Sequence, residues 1–246
     1  MKKLAAVLMG IMSLIFVSCN KQKIGREKVI KFATCADYPP FEYMNNNNFQ
    51  GFDIDLARLI AKEMKKEAEF IDVNFSNIFP VLQSQIADAG IATISSSVER
   101  EKFFSFSNPY HNGEIAIVYL LSSKSSDTKT GSKIAVQLGT IYEQWVREYM
   151  PTAKICLKNT TIHCVEALKA GHVDGVVLDL PQAKIFVKKN RILEFSALDT
   201  DRRGFVIAFK KDSHLKKEFD IIITKLKDNG EIKNLINKHI NSAYNG

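Results

Sequence analysis

The sequence lacks the short motifs that identify the commonest hydrolases and nucleotide-binding enzymes. It contains no Gly-rich phosphate-binding loop, no Gly-x-Ser-x-Gly nucleophile elbow and no His-Glu-x-x-His zinc-binding helix. Its five histidines are scattered, and His214 and His239 fall in helices that we expect at the surface. We therefore expect no metal and no cofactor, and a process that consumes ATP would have to draw on a partner.

The sequence also has no apolar run long enough to span a membrane. The apolar run of residues 4–17, preceded by two lysines, is too short for a span and is typical of a secretory signal. It leads into Cys19 in a pattern that resembles a bacterial lipoprotein cleavage site, although a plain signal peptide with an incidental cysteine is the alternative. We expect residues 1–18 to be a lipoprotein-type signal peptide and the mature protein to work in the periplasm or at the cell surface, lipid-anchored through Cys19.

A strong charge of one sign is missing as well. The formal net charge is +7, but the basic residues are spread out in small clusters such as Lys188-Lys189 and Lys210-Lys211. A nucleic-acid-binding face would gather them into one stripe with aromatic residues. We therefore expect no nucleic-acid partner, and the surplus suits a solvated surface near anionic lipid.

Cysteine is scarce, with four residues in the chain. Beyond Cys19 there are three, an odd number, so at least one thiol is free or pairs elsewhere in an oxidising compartment. Cys156 and Cys164 either form a disulfide between a strand and the following helix or remain as two unlinked thiols.

What the sequence does contain is a regular alternation of strand and helix patterns, which predicts an α/β fold with largely parallel sheets. The predicted strands cover residues 29–35, 70–73, 89–94, 115–121, 133–137, 153–157, 174–178 and 205–209. The predicted helices follow Asp53 and cover residues 76–85, 140–149, 161–170, 180–188, 213–227 and 230–240. Two such blocks flank a polar segment near residues 122–132. This order predicts two lobes joined near residues 108–113 and 198–204, although a single doubly wound domain fits the periodicity nearly as well.

An aromatic turn follows the first predicted strand. Pro39-Pro40 ends the strand and holds the chain extended, so Tyr38 and Phe41 are presented from stiff backbone. An amphipathic helix follows, with Asp53 as its predicted N-cap. The carboxyl end of a strand in an α/β sheet is a common binding place for small ligands, so this turn is a candidate ligand site.

Seven motifs in register carry a resemblance to a known family, and the similarity extends over nearly all of the chain after residue 27. The motifs are Tyr38-Pro39-Pro40-Phe41, Gly51-Phe52-Asp53-Ile54-Asp55-Leu56, Asn74-Phe75-Ser76, Ser95 to Arg100, Phe106-Ser107-Asn108-Pro109-Tyr110, Val136-Gln137-Leu138-Gly139-Thr140 and Gly171-His172-Val173-Asp174-Gly175 to Asp179. The chain resembles the family 3 bacterial extracytoplasmic solute-binding proteins, which deliver polar amino acids to ABC importers.

The resemblance implies a two-lobed type II periplasmic-binding-protein fold with a cleft between the lobes. Lobe 1 would comprise residues 24–110 plus 201–246, and lobe 2 residues 111–200. The function implied is that of a monomeric binding protein, not an enzyme, which captures a polar L-α-amino acid of the arginine or glutamine type. Its partner would be an ABC permease in the membrane.

The resemblance also implies roles for individual residues in binding a zwitterion, whose two charges need partners in a closed site. Arg100 would hold the α-carboxylate in a bidentate fork, completed by the backbone N–H groups of Ser95 and Ile141. Asp179 would pair with the α-ammonium, with help from the Thr93 carbonyl and the Ser95 hydroxyl. The ligand side chain would lie between two aromatic rings, those of Tyr38 and Phe75. Because Arg100 and Asp179 belong to different lobes, the ligand would favour the closed form.

Side-chain specificity is where the residues depart from the family pattern. In relatives that prefer basic or amide side chains, an acidic residue often stands where this chain has Cys35, and cysteine cannot neutralise a cation. Asp37 lies two residues further on and would face the same rim, while Gln137 would donate to or accept from a polar side chain. Arginine and glutamine both remain candidates.

Other interpretations compete with each assignment. Arg100 would equally suit a helix turn or a surface pair with a neighbouring glutamate, and Asp179 would suit the N-cap of the next helix. A catalytic relative of the same fold, such as a periplasmic dehydratase, is one alternative function. It is disfavoured because an ammonium lowers the pKa of Asp179 and weakens it as a base. The other alternative is a surface adhesin or sensor lipoprotein.

Overall fold

A computed structural model describes residues 28–123, 130–198 and 204–245, and their side chains up to residue 243. The expected signal peptide with Cys19 lies outside these residues, as does most of the second expected crossing near residues 198–204. Within the described part of the chain, no helix is long and apolar enough to cross a membrane.

Strands and helices alternate through both halves of the chain. The strands are β1 Val29–Thr34, β2 Asp37–Tyr38, β3 Glu42–Asn45, β4 Asn48–Gln50, β5 Glu67–Asp72, β6 Ala89–Gly90, β7 Phe104–Phe106, β8 Ile115–Leu120, β9 Lys133–Gln137, β10 Lys154–Lys158, β11 Gly175–Asp179, β12 Leu193–Leu198 and β13 Ala208–Lys210. The α-helices are α1 Phe52–Glu63, α2 Ile78–Gln83, α3 Val98–Glu101, α4 Tyr142–Tyr149, α5 Thr161–Lys169, α6 Leu180–Lys189, α7 Leu215–Asp228, α8 Glu231–Leu235 and α9 Ser242–Asn245. Short 3-10 turns cover Phe75–Asn77 and Leu121–Ser123, and a π-helical segment covers Ile236–Asn241.

The first lobe is built on a five-stranded sheet with the order β5-β1-β6-β13-β7. β1 runs parallel to β5 and β6, whereas β13 runs antiparallel to β6 and β7. β13 comes from the far end of the chain, so this lobe combines the residues before the second lobe with those after it. β1 is rich in β-branched and aromatic residues, which suits a strand covered on both faces.

The second lobe is built on a separate five-stranded sheet with the order β10-β9-β11-β8-β12. β9 runs parallel to β10 and β11, and β8 runs antiparallel to β11 and β12. All residues of the central strand β11 are buried, as its continuous apolar run leads one to expect. Because the two sheets are distinct, the prediction of two α/β lobes is confirmed and the single doubly wound domain is excluded.

Each sheet is covered by helices on both faces, which gives each lobe two apolar clusters. In the first lobe α1 and α7 pack on one face around Phe32 and Phe219, and α2 packs on the other around Ile78. In the second lobe α5 and α6 pack on one face around Cys164, and α4 packs on the other around Val146. Helix α1 buries its predicted apolar stripe.

Two segments that join the lobes lie side by side. The Tyr110 N–H donates to the Phe205 carbonyl over 2.8 Å, and the Phe205 N–H donates to the His111 carbonyl over 2.8 Å. The Phe205 ring is fully buried and packs against Phe41. The first predicted crossing, near residues 108–113, therefore lies beside the chain that returns from the second lobe.

Several local predictions were wrong. Strand β12 was missed, and the predicted strand 89–94 is ordered as a strand only over Ala89–Gly90. Helix α4 begins at Tyr142, two residues later than predicted, with Ile141 at its N-cap. Gly51, and not Asp53, occupies the N-cap of α1, so the cap assigned to Asp53 was also wrong.

Candidate functional site

The candidate site is a cleft between the lobes that is lined from both sides. It encloses about 380 Å³ of space free of atoms, including the part open to solvent. The first lobe contributes Cys35, Asp37, Tyr38, Glu42, Phe75, Thr93, Ser95 and Arg100. The second lobe contributes Gln137, Thr140, Ile141, Tyr142 and Asp179.

Asp179 lies at the end of β11 and is almost fully buried. Its Oδ2 atom accepts from the Tyr38 hydroxyl over 2.6 Å, and its Oδ1 atom accepts from the Tyr142 hydroxyl over 2.5 Å. Burial raises the pKa of Asp179 to about 6, although the two tyrosine hydrogen bonds pull it down. Asp179 does occupy the N-cap position of α6, but its side chain makes no capping hydrogen bond. The Asp179 carboxyl group therefore belongs to the cleft wall and does not cap the helix.

Arg100 lies in the short helix α3, whose N-cap Ser97 accepts from the Arg100 N–H over 3.2 Å. Its Nη1 donates to the Ser95 carbonyl over 2.5 Å, and its Nη2 donates across the cleft to the Gly139 carbonyl over 2.6 Å. The guanidinium carbon lies 4.8 Å from the centre of the Phe79 ring. Burial lowers the pKa of Arg100 to about 10, so the side chain stays charged at neutral pH.

The guanidinium keeps hydrogen-bonding capacity for a ligand. It has five N–H donors, and the two carbonyl contacts take one each. The nearby glutamates that would have made Arg100 a surface residue are not its partners in these contacts. A planar anion at this place would meet a charged, half-buried fork with free donors.

Glu42, at the start of β3, is 1 % exposed and forms part of the cleft wall. Its carboxyl group lies close enough to that of Asp53, a fully buried residue in the first turn of α1, for the charge of one to raise the pKa of the other. Burial raises the pKa of Glu42 well above its usual range, and the charge of Asp53 raises it further. Two carboxyl groups can share a hydrogen bond only if one carries a proton. The hydrogen bonds that Asp53 accepts from Thr93 and Tyr110 favour its ionised form, so the proton belongs on Glu42.

Asp53 also holds a piece of the cleft wall in place. Its Oδ2 accepts from the Thr93 N–H over 2.8 Å and from the Tyr110 hydroxyl over 2.9 Å. Thr93 has a φ of +48°, which is unusual for a β-branched residue and needs support from its surroundings. Burial raises the pKa of Asp53 to about 6, against the pull of these two hydrogen bonds.

The two lobes touch directly across the cleft. The Tyr38–Asp179 and Arg100–Gly139 hydrogen bonds both cross it, and the Gln182 side-chain amide donates to the Pro39 carbonyl. Gly139 has a φ of +83°, and a Cβ atom there would lie 3.0 Å from the Cα atom of Ser76 in the other lobe. Glycine thus serves both the turn and the close approach of the lobes.

A family model for the bacterial extracellular solute-binding proteins, family 3, matches residues 30–242. The chain belongs to this family. The resemblance inferred from the sequence motifs is thereby confirmed, and the protein is a member of an extracytoplasmic family of solute-binding proteins.

Individual relatives agree with this membership over nearly the whole chain. The arginine-binding extracellular protein ArtP of Bacillus subtilis is 30% identical over 97% of this chain and 98% of its own. A probable histidine-binding protein of Campylobacter jejuni is 31% identical over 97% of this chain and 99% of its own. Among solved structures, the amino acid ABC transporter substrate-binding protein AbpA of Streptococcus pneumoniae, bound to L-arginine, is similar with a TM-score of 0.81. That structure is 30% identical, covering 91% of this chain and 98% of its own.

In this solute-binding protein, the structure brings all the ligand residues predicted from the sequence into one cleft. Those residues are Cys35, Tyr38, Phe75, Thr93, Ser95, Arg100, Gln137, Ile141 and Asp179. Their placement in the wall is a fact of the fold, whereas the contact that each makes with a ligand stays a prediction. Gln137 is already bonded within its own lobe, since it accepts from the Thr161 hydroxyl and donates to the Asn159 carbonyl.

Sequence reasoning missed three wall residues of the solute-binding protein and gave one only as a rim residue. Tyr142, Thr140 and Glu42 were missed, and Asp37 was placed at the rim. Tyr142 occupies the first position of α4, and no local motif marks a hydroxyl there as a partner of Asp179. Glu42 directly follows the aromatic turn, and this position beside a predicted ligand site could have marked it as a wall residue.

The cysteine thiols in the described residues are free. Burial raises the pKa of the Cys35 thiol above its usual range, and the thiol donates to Asp37 over 3.3 Å. Cys35 is therefore a neutral group in the cleft wall and contributes no charge. Burial also raises the pKa of Cys164 to about 12, which makes that thiol unreactive at neutral pH.

Acidic side chains outnumber basic ones in the wall. Among the described residues that line the cleft, three are carboxylic acids, Asp37, Glu42 and Asp179, and Arg100 is the one basic side chain. A zwitterion placed with its carboxylate on Arg100 and its ammonium on Asp179 would use one group of each sign. Asp37 and Glu42 would then remain for the ligand's side chain.

Proposed function

We propose that the protein captures L-arginine in the cleft between its lobes and delivers it to the membrane permease of an ABC importer. The observation that carries this proposal is the surplus of carboxyl groups in the cleft wall. After the α-amino and α-carboxylate groups have been paired, the carboxyl groups of Asp37 and Glu42 are left, and a cationic side chain is the ligand group that favours the ionised form of both. The name of ArtP, an arginine-binding protein, and the L-arginine bound in the AbpA structure support the same choice.

The two ends of the ligand would join the two lobes. Arg100 of the first lobe binds the α-carboxylate, with the backbone N–H groups of Ser95 and Ile141 nearby. Asp179 of the second lobe binds the α-ammonium, helped by the Thr93 carbonyl and the Ser95 hydroxyl. The ligand then stabilises the closed arrangement because it interacts with both lobes only when they meet. The permease would recognise that closed form.

The side chain would determine which amino acid is retained. The ligand's aliphatic stem lies between Tyr38 and Phe75, and its guanidinium faces Glu42 and Asp37 with Gln137 beside them. A neutral amide side chain such as that of glutamine would leave Asp37 without a counter-charge and Glu42 protonated. We therefore place arginine before glutamine, although the presence of Cys35 in place of an acid left this open from the sequence.

The cellular setting forms part of the proposal. Residues 1–18 act as a lipoprotein signal peptide and Cys19 carries the lipid, so the monomeric protein is anchored to the outer face of a bacterial membrane. Lobe 1 comprises residues 24–110 and 201–246 and lobe 2 residues 111–200, which agrees with the membership of the two sheets.

The protein binds its ligand without altering it. Without a ligand, Asp179 has a raised pKa that suits a general base. Its two oxygens are held by Tyr38 and Tyr142, and a bound ammonium would lower its pKa again. Arginine recovered after incubation should therefore be unchanged by chromatography, and a converted product would favour the dehydratase alternative.

A thermal-shift screen of the twenty amino acids against the purified protein tests the proposed function. A ligand that binds only the folded protein stabilises it by about 2.7 kcal/mol at a concentration 100 times its Kd. We expect L-arginine to raise the Tm most and glutamine much less. Agmatine, which lacks the α-carboxylate, should fail because it leaves Arg100 without its partner.

Two outcomes would contradict this. If glutamine raises the Tm and arginine does not, the assignment of the surplus carboxyl groups is wrong, although the family role stands. If no amino acid raises the Tm, the adhesin or sensor alternative gains support.

A further inference from the structure

Glu42 and Asp53 form a buried acid pair with an unfinished hydrogen-bonding pattern. Glu42 Oε2 and Asp53 Oδ1 are both buried, and no protein donor in the described residues reaches either atom. The other oxygen of Asp53 is fully used by Thr93 and Tyr110. A proton held between the two carboxyl groups is the simplest way to satisfy these atoms.

The surroundings of Glu42 contain further acids. The titratable groups that act on it, or on which it acts, are Asp53, Asp37, Asp179, Tyr38, Tyr110 and Cys35. None of these supplies a positive charge. Without a cation nearby, an ionised Glu42 would be buried next to other anions, so the proton stays.

We propose that Glu42 distinguishes cationic from uncharged ligand side chains by exchanging the proton it shares with Asp53 for a bound cation. When a guanidinium lies against Glu42, its charge stabilises the carboxylate and the proton leaves to solvent. One positive charge enters the wall region as another departs. An uncharged side chain does not stabilise the carboxylate of Glu42, so the proton remains and the carboxyl group stays neutral.

This inference rests on the proposed function, because it assumes that the side chain of the bound amino acid faces Glu42. It goes further by separating two classes of ligand that share the same α-amino and α-carboxylate contacts. It also assigns Asp53 as a positioning residue, which holds the proton of Glu42 and the backbone of Thr93 at once.

Proton release is measurable with the unmodified protein. Titration calorimetry of arginine at pH 7.5, repeated in phosphate and Tris buffers with different ionisation enthalpies, gives the number of protons released per ligand. We expect about one proton for arginine. Asp179, with a pKa of about 6, is already largely ionised at this pH and adds little. Citrulline, the uncharged analogue of arginine, should release almost none.

The outcomes separate this inference from the proposed function. Arginine that binds with the release of about one proton supports both. Arginine that binds without proton release overturns the exchange and leaves the proposed function intact. Arginine that fails to bind overturns both.

Replacement of Glu42 assigns the proton to a residue. Glu42→Gln keeps the shape and the donor to Asp53 but has no proton to lose. In this variant arginine should bind about 10- to 100-fold more weakly and release no proton, while citrulline should bind nearly as before. Glu67→Gln, which changes an exposed carboxyl group on β5, is the matched control and should release protons as the wild type does. Continued release in Glu42→Gln would overturn the assignment to Glu42, and if that variant does not fold, the wild-type measurement still decides.

Discussion

The two lobes differ in how far the hydrogen bonds of their cleft residues are satisfied within the same lobe. In the second lobe, Asp179 is held by Tyr142 and Gln137 is held by Thr161, so each has a partner from its own lobe. In the first lobe, Arg100 reaches across the cleft for a carbonyl, and Glu42 buries an oxygen that no protein donor reaches. The second lobe therefore presents an acceptor that is already oriented, whereas the polar groups of the first lobe need hydrogen-bond partners from the other lobe or from a ligand.

This difference shows where the binding energy is expected to come from. A buried group already satisfied by its own lobe needs little reorganisation when a ligand arrives. Arg100 has one carbonyl partner in its own lobe and one across the cleft, and it loses the second whenever the lobes separate, at a cost of several kcal/mol at most. The first lobe should thus make the protein sensitive to both closure and ligand.

The largest effect should come from removing the charge of the first lobe. Arg100→Ala deletes the shared partner of every α-carboxylate, so all amino acids should lose about 3–5 kcal/mol of binding free energy, a factor of about 100 to several thousand in Kd. Calorimetry of arginine and any weaker ligand measures this loss. Arg58→Ala is a suitable control, because that exposed arginine pairs with Asp55 outside the cleft.

A loss confined to one amino acid would show that Arg100 contacts the ligand's side chain instead of its carboxylate. Normal binding in Arg100→Ala would remove Arg100 from the site altogether, and the comparison of the two lobes would then have to begin from Glu42 alone.

A smaller effect should come from acid, acting on the second lobe. The bound ammonium needs an ionised Asp179, while the pKa of Asp179 without ligand is about 6. The ligand-bound protein therefore holds fewer protons on Asp179 than the free protein below this pH, so affinity falls as the pH decreases through 6. The added loss should approach tenfold per pH unit for charged and uncharged side chains alike.

Affinity measured from pH 8 to pH 4.5 checks this expectation. For citrulline the slope should appear only below about pH 6, and for arginine it should add to the slope that Glu42 causes at higher pH. A citrulline profile that stays flat down to pH 4.5 would contradict the pairing of Asp179 with the ammonium.

The sequence predicted the parts of the fold and site that local chemistry encodes. Periodicity located most strands and helices, and the motif around Tyr38 and that around Arg100 led to wall residues of one cleft. The strand Leu193–Leu198 was missed although its first five residues alternate apolar and polar side chains, and in the fold it is fixed by pairing with β8. Asp53 was read as a helix cap because its two partners, Thr93 and Tyr110, are far away in the chain.

The missed charges have the same origin. Local sequence suggests that Glu42 is an ordinary strand residue next to an exposed turn, and only the packing of α1 against β3 makes it a buried acid beside Asp53. The pKa of Asp179 was predicted only for the ammonium-bound state, and nothing in the local sequence indicates that burial raises it in the ligand-free protein. Burial by residues that are distant in the sequence determines the direction of these pKa shifts, and local sequence does not reveal it.

The smallest effect on ligand affinity should come from replacing Tyr142, which donates a hydrogen bond to Asp179 from within the same lobe. Tyr142→Phe removes the hydrogen bond to Asp179 Oδ1, a bond that lowers the pKa of the carboxyl. A hydrogen bond to a charged group contributes about 1.5–3 kcal/mol, so the pH at which affinity begins to fall should rise by about one unit or more. Near pH 8 the Kd should change little. Tyr119→Phe removes a hydroxyl bonded to Ser196 outside the cleft wall and should leave the profile unchanged. If Tyr142→Phe leaves the midpoint near pH 6, the second lobe does not hold Asp179 ionised through Tyr142, and the contrast between a completed and an unfinished side of the cleft would rest on Glu42 and Arg100.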